Sequence, residues 1–109
     1  MEKHRDTPRY TTILHDERTK LGLSLTAYCV IDSIHNLSHR SSYPYCTLPK
    51  EAIADFLDLG RATVFRAIQK GLENELLEKN DRGDLRTTEK WTQAVVVKRV
   101  AVADKNKRN

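Results

Sequence analysis

Three cations, Arg61, Arg66 and Lys70, fall within ten residues that also hold Gln69 and contain no acidic side chain. Wound as a helix at about 100° per residue, this stretch sends Val64, Ile68 and Leu72 to one side and Ala62, Arg66, Gln69 and Lys70 to the other. The first set is a core-facing stripe and the second a positive outer face. A helix of this width enters the major groove of DNA, where arginine bonds bidentately to guanine and glutamine to adenine. An ordinary solvated helix carries the same pattern, so the face by itself leaves both readings open.

Cys29, His35, His39 and Cys46 are the only set with metal-ligand chemistry. His35 and His39 would stand one helical turn apart, but Cys29 precedes His35 by six residues, about 600° of rotation, and falls off that face. A buried Cys29, surface histidines and a half-buried Cys46 account for the set without zinc, and no metal or cofactor is expected. The sequence has no glycine-rich phosphate loop, nucleophile elbow or spaced carboxylate pair. Neither catalysis nor a small-molecule ligand is expected.

The elements that must position the cationic face can be placed by periodicity. Residues 1–9 are charged, contain Pro8 and have no period, which reads as a flexible arm. Tyr10–Leu14 reads as a short strand or extended lead-in, and Asp16–Leu21 as one helical turn ended by Gly22. Ser24 caps a helix expected over 24–38, with Ala27, Ile31, Ile34 and Leu37 on its inner face. Pro49, at the first helical position with Thr47 or Leu48 near the cap, begins a second helix over 49–57. Asp58-Leu59-Gly60 breaks the chain tightly before the third helix, 61–73, giving a helix-turn-helix. Leu76–Lys79 and Leu85–Thr87 flank Asn80-Asp81-Arg82-Gly83-Asp84, a loop suited to a β-hairpin. Beyond it, Thr88 and Glu89 can begin a helix over 89–103, although Val95, Val96, Val97, Val100 and Val102 favour strand by their branching.

The chain has 109 residues and a formal charge of +4, with 39% hydrophobic and 31% charged residues. That supports one domain, and no apolar run approaches the roughly 20 residues that span a bilayer. Residues 1–97 hold 14 basic and 14 acidic side chains, so the surplus lies after Val97, in Lys98, Arg99, Lys105, Lys107 and Arg108. Residues 71–90 carry four basic and six acidic side chains, which weakens any attraction of the hairpin for DNA. A polar amino terminus and only two cysteines point to reducing cytoplasm.

The run Lys50-Glu51-Ala52-Ile53-Ala54-Asp55-Phe56-Leu57, with Arg61-Ala62-Thr63-Val64-Phe65-Arg66-Ala67-Ile68-Gln69-Lys70 after it, resembles the winged helix-turn-helix proteins of bacteria and phages. Their DNA-reading unit has a motif of the kind I-A-x-x-L … S-R-A-T-V-x-R-A-I. Leu23–Tyr28 is similar to the first helix of replication-initiator and replisome-organiser domains of plasmids and phages. The chain departs from the pattern at Asp58, where a turn glycine is usual, at Gly60 for the serine cap, and at Gly71 where an apolar residue is expected. It departs again at Glu75 for the glycine that ends the recognition helix, so Asn74 is expected to take the left-handed conformation there.

The resemblance implies an α+β, mainly helical winged helix-turn-helix over 10–90. Arg61, Ala62, Phe65, Arg66 and Gln69 would approach base edges, and Thr47, Lys50, Thr63 and Lys70 would hold phosphates. Lys79, Arg82 and Arg86 belong to the hairpin wing. Phe65 lies about 100° from the core stripe, and a half-buried ring is the alternative. The expected role is sequence-specific binding of double-stranded DNA as a transcriptional regulator. Alternatives are a DNA-binding module for plasmid or phage replication, and a winged helix used for protein interaction. Residues 91–103 serve for packing or dimerisation, since Trp91, Ala94, Val95, Val97, Val100 and Ala101 exceed one small wall of core. A homodimer is therefore expected, with 104–109 as a basic tail.

Overall fold

The computed structural model describes residues 10–38 and 43–108, with side chains described up to residue 104. Ser24 Oγ accepts the Ala27 N–H at 3.1 Å, satisfying one of the backbone donors that every helix start leaves open. The helix it begins is the second of the chain. The order is α1 (His15–Lys20), α2 (Leu25–Ser38), α3 (Lys50–Leu57), α4 (Arg61–Glu73), β1 (Leu77–Lys79) and β2 (Leu85–Thr87). Next come α5 (Glu89–Trp91), a π-helical stretch (Thr92–Val96) and α6 (Val97–Arg108), joined without a break. The architecture is mainly helical α+β.

Tyr28, Ile31 and Ile34 of α2, Ile53 of α3, Val64 and Ile68 of α4, Leu76, Trp91 and Val95 are fully buried together. The Tyr28 and Trp91 rings meet at 5.2 Å with a 58° tilt. This tilted contact adds to the area both rings remove from water.

Both α3 and α4 end in Schellman motifs built on a residue other than glycine. Asp58 has φ 56°, with Leu59 N–H donating to Ala54 O at 2.9 Å and Asp58 N–H to Asp55 O at 3.3 Å. Glu75 has φ 62°, with Leu76 N–H donating to Gly71 O at 2.8 Å and Glu75 N–H to Leu72 O at 3.2 Å. These bonds satisfy the last carbonyls and turn the chain sharply, which fixes α4 against α3 and sends β1 back over α4.

The hairpin pairs Leu77 with Thr87, Glu78 with Arg86 and Lys79 with Leu85. Gly83 is its residue of positive φ, +88°. Asn80 Oδ1 accepts the N–H groups of Arg82 and Asp84 at 3.0 and 2.9 Å. Asn80 Nδ2 donates to Tyr43 OH at 2.8 Å, and that hydroxyl donates to Asp84 Oδ2 at 2.8 Å. The Asp84 bond raises the Tyr43 phenol above its ordinary pKa. Cys46 N–H donates to Leu85 O at 2.6 Å, so the segment before α3 lies along the outer edge of β2.

Trp91 and Val95 turn into the core, and the segment after Thr88 is helical despite its valines. Burial of one face overrides the strand preference of β-branched residues. The widened turn at Thr92–Val96 re-aims α6, because a π turn takes up one extra residue. Arg99 Nη2 thereby reaches Asp32 Oδ1 at 2.8 Å, and Lys98 Nζ reaches Glu17 Oε2 at 2.7 Å. Residues 10–14 form no strand. They run extended, held by Tyr28 OH donating to Thr12 O at 2.8 Å and by Arg99 Nη1 donating to the same carbonyl at 3.4 Å.

Several expectations are corrected. Pro49 is the N-cap of α3 rather than its first helical residue, because its ψ of 157° is extended, so the helix starts one residue later than expected and neither Thr47 nor Leu48 caps it. Thr88 gives α5 no side-chain cap, since its hydroxyl donates to Glu75 O at 2.6 Å instead. Asn74 is not left-handed: its Nδ2 donates to Leu21 O at 3.1 Å, leaving Glu75 to take the positive φ. The last helix runs to Arg108 rather than stopping at 103. The two cysteines exchange their expected places, Cys46 being buried and Cys29 half-buried.

Candidate nucleic-acid interface

Helix α4 packs its Val64, Ala67, Ile68 and Gly71 face against α2, α3 and β1. Outside lie Arg61, Ala62, Phe65, Arg66, Gln69 and Lys70, all exposed. The structure thus brings every residue expected to approach base edges onto one open face. Arg61 Nη2 pairs with Glu51 Oε2 at 2.8 Å, both side chains more than half exposed. Such surface pairs contribute at most about 1 kcal/mol, so a phosphate can displace the carboxylate.

Phe65 is 45% exposed, and two cations lie near its ring, Lys50 Nζ at 5.4 Å and Arg61 Cζ at 5.6 Å from the centroid. Lys50 comes from the first turn of α3, so the tight turn between α3 and α4 is what assembles this cluster. Of the remaining residues expected to hold phosphates, Thr47 is exposed just ahead of α3, while Thr63 is half-buried. Thr63 Oγ1 accepts from Arg66 Nη2 at 3.5 Å.

A cleft of about 410 Å³ opens beside α4, with Gly22, Ser24 and Thr26 on one wall and Thr63, Arg66 and Lys70 on the other. Among the described residues, no acidic side chain lines it. Ser24 and Thr26 are hydroxyl residues that sequence reasoning did not assign to a contact role. Their proximity to Arg66 and Lys70 depends on the packing of α2 against α4, which spacing along the chain does not encode.

The hairpin divides its cations. Arg82 at the tip and Lys79 on β1 are exposed. Arg86 is engaged within the protein, paired with Glu78 across the strands and stacked over Tyr45, 4.6 Å from its ring centroid. Arg86 therefore braces the hairpin against the segment before α3, and Tyr45 is a partner the sequence did not single out.

His35 is half-buried rather than on the surface, with Nδ1 at 2.7 Å from Thr87 Oγ1. His39 lies outside the described residues. Among those described, no three His, Cys, Asp or Glu residues are grouped to hold a metal. Burial pushes the thiols of both Cys29 and Cys46 above their ordinary pKa, the reverse of what activates a nucleophile. Among the described residues no helix is long and apolar enough to cross a membrane. Compared with known protein families, characterised proteins and solved structures, the chain has no match.

Proposed function

We propose that the chain is a winged helix-turn-helix protein that binds double-stranded DNA sequence-specifically and regulates transcription, with α4 as the recognition helix. The observation that carries this reading is the open face of α4: Arg61, Arg66, Lys70 and Gln69 exposed, the opposite face locked into the core, and no acidic residue from 59 to 72. Arg61, Arg66 and Gln69 supply hydrogen bonds for base edges, and Ala62 and Phe65 supply apolar contact. Lys50, Lys70, Thr47 and Thr63 set the register through phosphates, with Ser24 and Thr26 on the far wall of the cleft. Arg82 and Lys79 extend contact to the flanking backbone. The near-neutral body leaves specificity dependent on this face more than on bulk charge.

The protein acts as a homodimer in this reading. Val97, Val100 and Ala101 share one exposed face of α6, whereas Trp91 and Val95 are used in the monomer core. A symmetric dimer places two α4 helices on half-sites one DNA turn apart. Light scattering should give twice the 12.6 kDa chain mass, and a monomer that binds its full site would contradict the dimer.

Selection from random duplexes tests the main reading. Arg66→Ala should relax preference at one base position by about 1–3 kcal/mol, while Lys70→Ala should weaken all sequences alike. Equal loss on all sequences for both variants would remove Arg66 from base reading. A promoter operator among the genomic sites bound supports regulation, and iterated origin repeats would place the protein in replication instead.

A further inference from the structure

Phe65 is the large apolar side chain on the otherwise polar, cationic outer face of α4. Ala62, exposed one turn earlier, extends its apolar area. The ring stays out of the core although buried Val64 and Ile68 flank it on the same helix, because its helical position lies about 80° from the middle of their stripe and farther still from buried Ala67 and Gly71.

Lys50 and Arg61 lie against the ring at 5.4 and 5.6 Å, and Arg61 is paired with Glu51, so whatever covers Phe65 must also meet the Lys50 ammonium and that ion pair. An apolar protein surface would bury Lys50 unpaired and desolvate the Arg61–Glu51 pair, which is unfavourable. The occupant must present a small apolar patch inside an anionic rim. The major groove presents one such group, the C5 methyl of thymine, bordered on both sides by phosphates.

We propose that Phe65, extended by Ala62, reads a thymine methyl, with Lys50 on the adjoining phosphate. This rests on the DNA-binding reading above and adds a base identity to it. Gln69, one turn beyond Phe65 and exposed on the same face, suits adenine, so the core of the target is A·T-containing.

The test uses the full chain and the tightest duplex from selection, with thymines replaced one at a time by deoxyuridine. That exchange deletes the methyl and keeps every hydrogen-bonding group. One position should lose affinity about fourfold, the worth of one buried methyl-sized group. Phe65→Ala should bind the thymine duplex more weakly and no longer distinguish thymine from uracil there, while Phe65→Leu retains part of the distinction. Melting by circular dichroism should still show a cooperative transition shifted by only a few degrees, since nearly half of the residue is exposed. Wild-type protein that binds thymine and uracil duplexes equally, or Phe65→Ala that still distinguishes them, would overturn the proposal while leaving DNA binding intact. Unchanged duplex affinity in Phe65→Ala takes the ring out of the DNA contact and also overturns it. Failure to bind any duplex at low salt overturns both readings together.

Discussion

Gly71 lies in the last turns of α4, at a helical position where alanine has the better intrinsic propensity by about 1 kcal/mol. Gly71→Ala should nevertheless destabilise the protein. A Cβ there would stand 2.7 Å from Leu77 Cδ1, 2.9 Å from Leu77 Cγ and 3.2 Å from Ile31 Cδ1, against ordinary contacts of about 3.5–4.0 Å. Leu77 and Ile31 are themselves buried, so neither side chain can swing into solvent. Relief requires β1 or α2 to shift by several tenths of an ångström. Overpacking of this kind costs about 1–3 kcal/mol, which equals or exceeds the propensity gain. A net loss near 1 kcal/mol lowers Tm by about 4–8 °C. The assay is thermal unfolding by circular dichroism, with the Gly71→Ala/Leu77→Ala pair alongside. Shortening Leu77 removes both of its clashing atoms, so the two substitutions together should cost less than their separate sums. Gly71→Ala with a raised Tm, or strict additivity with Leu77→Ala, would refute the close packing of α4 on β1.

Glu75→Gly should raise Tm by several degrees, because a left-handed conformation costs a residue with a Cβ about 1–2 kcal/mol; an unchanged or lower Tm would contradict the Schellman ending of α4. Asp32→Ala should cost about 1–3 kcal/mol, since it leaves the half-buried Arg99 without its carboxylate, as measured by urea unfolding. In that background Arg99→Met should restore part of the loss, and equal stability with or without it would show that the pair does not bind α6 to α2.

Much of this was legible because local signals agreed with one another. Val64, Ile68 and Leu72 at intervals of four, bounded by Gly60 and by a break after Glu73, defined α4 to its observed ends. Asn80 and Gly83 marked the hairpin loop through their own turn chemistry, and both perform it. Spacing could not supply contact between distant residues. The joining of Asp32 to Arg99, the stacking of Arg86 on Tyr45 and the facing of Ser24 with Arg66 depend on tertiary packing. The valines after Thr88 left helix and strand in conflict, and burial of Trp91 and Val95 resolves it. Gly71 read as a departure from pattern because the demand for a missing side chain comes from Leu77 and Ile31. The exposed face of α4 was readable as cationic, whereas the position of Lys50 beside Phe65 is set by the angle between α3 and α4.

Duplex DNA binding across a salt series tests the central claim most directly. Lys50 and Lys70 beside the recognition face, with Lys79 and Arg82 of the hairpin, if all four meet phosphates, give log K against log salt a slope of about −4. Steep, sequence-dependent binding that loses roughly one unit of slope in Lys70→Ala is the result expected. No binding to any duplex at low salt, or binding that salt leaves unchanged, would contradict the account.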